Sequence, residues 1–168
     1  MRLLHARRDV GGVRVVSSVF TSDVYRYIHS GGRAIVLQTN DGSLPSKPCP
    51  FWRESIKLLY DHPILEQFPH QGYANLQFYH LATDFAVDTD KIRSQFADVK
   101  AVHPIVRRLD ARQFTVLDYL VEIQIGEGTL LVSTLLFGGG AGDQVNGLQN
   151  NIAGRHLMSQ MLNYLSKE

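Results

Sequence analysis

A single cysteine, Cys49, among 168 residues rules out an internal disulfide framework and any zinc site built from several thiolates. Excess charge of either sign is missing as well: 17 Lys and Arg stand against 16 Asp and Glu, a formal net charge of +1. No basic stripe breaks that balance, so the sequence offers no electrostatic support for a nucleic-acid partner. The densest basic pairs, Arg7-Arg8 and Arg107-Arg108, read as solvated surface features. No apolar run is long enough to span a bilayer, which argues against a membrane partner. The N-terminal stretch carries charge without a continuous apolar segment, so it is not a signal peptide. These absences lead to the expectation of a cytosolic protein or a piece of a longer one.

What is present fits one domain with a real hydrophobic core: 44% of residues are hydrophobic and 20% charged. Residues 13–20 are rich in β-branched side chains and predict a strand. Thr21, Ser22 and Asp23 then offer N-cap oxygens to a helix whose apolar face is Val24, Tyr27 and Ile28. Gly31-Gly32 supplies a left-handed stop, and residues 34–38 follow as a short apolar strand. Strand, helix, Gly-Gly and buried strand make a βαβ unit. Residues 39–50 are a proline-rich loop, residues 51–60 predict a short helix, and Pro63 suits the first turn of another, capped by Asp61 or His62. Residues 73–98 suggest only mixed short elements.

Further on, residues 116–125 alternate, with Leu117, Tyr119, Val121, Ile123 and Ile125 on one face. Gly126-Glu127-Gly128 turns the chain into a second apolar strand over 129–137, a hairpin signal. A glycine-rich loop at 138–142 leads to a terminal helix from about Asn151. Its expected buried stripe is Ile152, Ala153, Leu157, Met161, Leu162 and Leu165.

Candidate chemistry concentrates between Asp61 and His80, where histidines, prolines and aromatics crowd a loop-rich segment. His62, His70 and His80 are candidate metal ligands by residue type, yet their spacing matches no zinc motif. Asp61, Glu66, Asp84 and Glu122 are the carboxylates for acid–base work, and nothing in their spacing pairs two of them across a bond. Glu122 points away from the apolar face of its strand and reads as solvated or ion-paired. Cys49 lies between Pro48 and Pro50 without an elbow pattern and reads as an unreactive loop thiol. The glycines at 138–142 lack the lysine that closes a phosphate loop, so they read as a connection. Phe51, Trp52, Tyr73, Phe78 and Tyr79 offer ring faces that suit a pyranose, or that fill a core.

The order of these pieces resembles a known family. The helix, Gly-Gly and strand of residues 24–37 resemble class I glutamine amidotransferase-like domains, including their ThuA-like branch. Phe51-Trp52-Arg53, Asp61-His62-Pro63, Phe68-Pro69-His70 and Leu76-Gln77-Phe78-Tyr79 resemble the middle of the amidotransferase-like domain appended to some family 2 glycoside hydrolases, relatives of β-galactosidase and β-glucuronidase. The hairpin at 122–133 and the helix residues Ala153 to Leu165 fit the same pattern. The resemblance implies a flavodoxin-like three-layer α/β sandwich over 13–168, shortened at its N-terminus and preceded by an extension over 1–12. It implies an accessory, non-catalytic role beside the other domains of a larger glycosidase, with no cofactor and no metal. The amidotransferase Cys-His-Glu triad has no counterpart here, and neither do the two catalytic glutamates of the hydrolase barrel. A carbohydrate would be met by Trp52, His62, His70, Tyr73 and Phe78. The alternatives are a small stand-alone ThuA-like enzyme acting on a sugar derivative, and a ligand-free scaffold. A shortened sheet would also leave an edge open to self-association.

Overall fold

The computed structural model describes residues 14–39, 42–50, 55–74, 78–137, 148 and 151–166. They form a mixed α/β structure with a nine-stranded sheet and three helices. Strand β1 (Arg14–Ser17), helix α1 (Ser22–His29) and strand β2 (Arg33–Leu37) come first. They are the expected βαβ unit, with β1 and β2 parallel and Val15 opposite Ala34. The Thr21 hydroxyl accepts the Val24 N–H at 3.3 Å and caps α1. Gly31, at φ 98°, turns the chain out of the helix.

Short strands β3 (Ser46–Pro48), β4 (Ile56–Leu59), β5 (Tyr73–Ala74) and β6 (Phe85–Val87) follow, then helix α2 (Thr89–Gln95). Strands β7 (Val99–Asp110), β8 (Thr115–Ile125) and β9 (Gly128–Ser133) form two successive hairpins, and α3 (Ile152–Ser166) closes the described chain. The main path of the sheet runs β1-β2-β9-β8-β7-β4-β5, with β6 joining β8 and β3 joining β6. Among the described residues only β1–β2 and β2–β9 are parallel, and the other pairings are antiparallel.

Alternation along the central strands builds two cores. Ile35 and Leu131 join the core that takes Leu157, Met161 and Leu165 of α3. Ala34, Val36, Leu130 and Val132 join the one that takes Val24 and Ile28 of α1 and Ile92 of α2. Both faces of the central strands are therefore covered, which explains their near-continuous apolar sequence.

Four expectations change. Residues 56–59 are strand β4 instead of part of a helix, because β7 offers a backbone partner to every residue from Ile56 to Leu59. Asp61 to Phe68 forms turns, with Leu65 N–H donating to His62 O at 2.8 Å and Phe68 N–H to Leu65 O at 2.9 Å, instead of a helix opened by Pro63. Arg108 is fully buried rather than solvated, since it lies on β7 opposite Lys57 of β4 and faces inward. On α3 the stripe holds at Leu157, Met161 and Leu165, but Ile152 is 76% exposed and Gly154 takes a buried place instead.

Candidate functional site

The loop between β4 and β5 shapes an open cleft of about 580 Å³, lined by Asp61, His62, Pro63, Leu65, Glu66, Phe68, Pro69 and His70. Its walls are anchored from below. Ile64, Leu65 and Phe68 are buried in the core on the α3 side. Helix α3 runs beneath the loop and meets it at positions four residues apart on one side. The His156 ring lies 5.9 Å from Phe68, the Gln160 amide donates to the Gln67 side-chain oxygen at 3.2 Å, and the Tyr164 ring lies 4.9 Å from His62.

His62 is the best-fixed group in the cleft. Its Nδ1 accepts the Ile64 N–H at 3.2 Å, so the ring proton resides on Nε2, which donates to Glu122 Oε2 at 3.3 Å. The Tyr164 hydroxyl donates to the same oxygen at 2.5 Å. The His62 and Glu122 side chains are only 8% and 6% exposed. Burial works to raise the Glu122 carboxyl, but the hydrogen bonds from His62 and Tyr164, helped by nearby His103, hold it below its ordinary range. Burial, then the bond to Glu122, push the Tyr164 hydroxyl up to about 12. Tyr164, Glu122 and His62 thus tie α3 and β8 to the loop, and both imidazole nitrogens are occupied in doing so.

The groups that face solvent differ. His70 Nδ1 accepts the Gly72 N–H at 3.0 Å, which leaves Nε2–H as a donor. Asp61 and Glu66 make no hydrogen bond or ion pair among the described residues. The cleft therefore combines two carboxylates, one imidazole donor, and the exposed apolar surfaces of Pro63 and Pro69, over a floor closed by the buried Phe68.

The other sequence candidates fall elsewhere. Phe78 is fully buried and packs edge-to-face on Phe68 at 5.7 Å, so it supports the cleft floor and offers no face to a ligand. Tyr73 is 47% exposed on β5, outside the lining. Trp52, Phe51 and the glycines at 138–142 lie outside the described residues. His80 pairs with the exposed Tyr79 ring at 5.1 Å, away from His62 and His70 in the lining. Among the described residues no three His, Cys, Asp or Glu side chains are grouped to hold a metal ion. Glu122, read as solvated or ion-paired, is instead buried and hydrogen-bonded to the His62 imidazole and the Tyr164 hydroxyl, because α3 covers the second face of β8.

Cys49 is buried beside Arg108. Its N–H donates to Asp84 O at 2.6 Å, and its thiol lies 3.8 Å from Thr83 O. Burial pushes that thiol up to about 11 against the pull of Arg108, so it stays protonated and non-nucleophilic at neutral pH. Tyr164 was not among the sequence candidates. Its signal was there: His156, Gln160 and Tyr164, spaced four apart, form a polar stripe beside the apolar one on α3. No helix among the described residues is long and apolar enough to cross a membrane.

The model of a family described as a domain of unknown function, DUF8487, matches residues 15–168. No curated protein matches the chain.

Proposed function

The chain belongs to the DUF8487 family, and because that description carries no activity, we propose from its own residues that it is a non-catalytic accessory domain which contacts carbohydrate through the 61–70 cleft. The observation that carries this reading is the state of His62. Both its ring nitrogens are committed to Ile64 and Glu122, so the best-buried titratable group of the cleft holds the loop's shape and takes no proton from a substrate. Around it, two exposed carboxylates without a partner among the described residues, an imidazole donor and the proline surfaces can take hydroxyls and a sugar face. The buried, protonated Cys49 agrees with this, since it supplies no thiolate.

The parent protein on this reading is a carbohydrate-processing enzyme of the glycoside hydrolase type, and the remaining domains of that enzyme are the partners. The amidotransferase-like, flavodoxin-like kinship belongs to the same proposal. It is supported by the parallel β1-α1-β2 unit, the parallel β2–β9 pairing and helices on both faces, while the antiparallel strands from β8 outward depart from it. Self-association through the β1 edge of the sheet is a further part of the proposal.

Oligosaccharide titration of the purified chain, followed by NMR and by a turnover assay, tests the reading. Binding at the 61–70 loop without turnover, weakened by His70→Ala, is the expected result. Hydrolysis or other turnover by this chain alone would replace the accessory reading with the stand-alone ThuA-like enzyme. Absence of any carbohydrate binding would leave a ligand-free scaffold. An immunoblot of source-cell lysate tests the parent: a band far above 18.9 kDa is expected.

A further inference from the structure

Two like charges meet on the inner face of the sheet, and neither lines the 61–70 cleft. Lys57 on β4 and Arg108 on β7 stand directly opposite each other in an antiparallel pair, so their side chains leave the same face, where like charges repel. Arg108 is 0% and Lys57 7% exposed. Burial, then the charge of Arg108, lowers the Lys57 ammonium below its ordinary range. One buried carboxylate, Asp110, faces these cations, and it is already shared. Its Oδ2 accepts from Arg108 Nη2 at 2.5 Å, and its Oδ1 accepts the backbone N–H groups of Arg112 at 2.8 Å and Gln113 at 3.1 Å. The other buried carboxylates are engaged elsewhere: Asp88 with Lys47, Asp118 with Arg107, and Glu122 with His62 and Tyr164.

The guanidinium itself is unfinished. Its Nη2 serves Asp110 and Pro50 O, while the donors on Nε and Nη1 have no acceptor among the described residues. The Cys49 thiol beside it is protonated and a weak acceptor. We infer that Lys57 and Arg108 form a receptor for a small oxyanion, carboxylate or phosphate, on the inner face of β4 and β7. This site is independent of the carbohydrate reading. Two buried cations against one buried carboxylate leave positive charge in a dry interior, which is costly without a counter-ion. An oxyanion would give the orphaned donors charge-assisted hydrogen bonds and relieve the repulsion across the strand pair. Burial of both side chains restricts the ligand to about the size of acetate or phosphate. The pair lies at the rim of the sheet, next to Ile56 at the start of β4 and close to Asp110 at the end of β7.

The test uses the full chain in a buffer whose only anion is a bulky sulfonate, titrated at constant ionic strength with sodium acetate or sodium phosphate. Thermal melts and the NMR signal of the Arg108 Nε–H group are followed. A saturable rise in melting temperature of about 2–4 °C is expected, with the Nε–H signal moving over the same concentration range. The salt that saturates at the lower concentration distinguishes a carboxylate ligand from a phosphate one. Lys57→Met should weaken the response about tenfold, and Arg108→Met should abolish it. Should Arg108→Met fail to fold, Lys57→Met and the wild-type Nε–H signal carry the test. A rise that does not saturate, or that survives Arg108→Met, would overturn the site. Insensitivity of the wild type to both salts would overturn it too, and sensitivity gained only in Glu54→Gln would identify that neighbour in the chain as the protein's own counter-ion.

Discussion

His62, Glu122 and Tyr164 place one carboxylate under two donors in a nearly dry site. Removing the carboxylate by Glu122→Ala strands the imidazole and phenol together, and a cost of about 3 kcal/mol in denaturant unfolding is expected. The sign of the pH effect follows from the lowered Glu122 carboxyl. A depressed folded value contributes stability that is fully present above the ordinary value of 4.5 and is lost as pH falls through the depressed one. Wild-type stability should therefore drop on acidification below that point more steeply than that of Glu122→Gln, and the gap between them should narrow in acid. A constant gap across that window would refute the assignment. At the β7–β8 turn, Phe114 is 90% exposed and sits at φ 50°. Its ring contributes little burial while its backbone is strained, so Phe114→Gly should leave stability unchanged or raise it by up to about 1 kcal/mol in thermal melts.

Strands and helices meet most tightly where the α1 C-terminus crosses the β8–β9 turn. Thr129 N–H donates to Gly32 O at 3.1 Å and Glu127 N–H to His29 O at 3.2 Å. A Cβ at Gly128 would lie 2.1 Å from Ile28 O, backbone against backbone, with no flexible side chain to yield. Gly128→Ala should cost more than about 2 kcal/mol and lower the melting temperature, in contrast to Gly72→Ala, where φ 85° strains the backbone but nothing obstructs the methyl. Where an element's own residues supplied cap, face and stop, as in α1, β8 and α3, its position could be read directly. Strand β7 could not be read: Pro104 interrupts its pattern, and the bulges around Pro104 and Val106 reset its register. β4 was likewise obscured, since four residues hold a strand only because β7 lies beside them.

Across the molecule, the two cores make the sheet one cooperative body, and Cys49 sits at 0% exposure within the larger. With a single thiol, the chain reports on its own opening. Labelling by a thiol reagent should be negligible in native buffer and complete in denaturant, with a native rate that tracks global unfolding. Fast native labelling would mean that the segment around Cys49 opens alone. Arg108→Met probes the same region. The guanidinium is fully buried, bonds Asp110 at 2.5 Å and Pro50 O, and leaves Nε and Nη1 without partners among the described residues. Exchanging it for an apolar chain should therefore cost less than the several kcal/mol of breaking a balanced buried pair.

Local chemistry was enough to specify the β1-α1-β2 unit, the β8–β9 hairpin, the terminal helix and the crowding of histidines, prolines and aromatics near His62. Each depends on neighbours in the chain: a cap three residues away, a period of two or four, a glycine where φ turns positive. The cleft depended on contacts between segments far apart in the chain. Glu122 finds His62 across 60 positions and Tyr164 across 42. Arg108 is drawn inward by its place on β7, and Phe78 disappears under Phe68. Burial and pairing of polar groups are properties of surfaces brought together by folding, so no spacing along the chain encodes them.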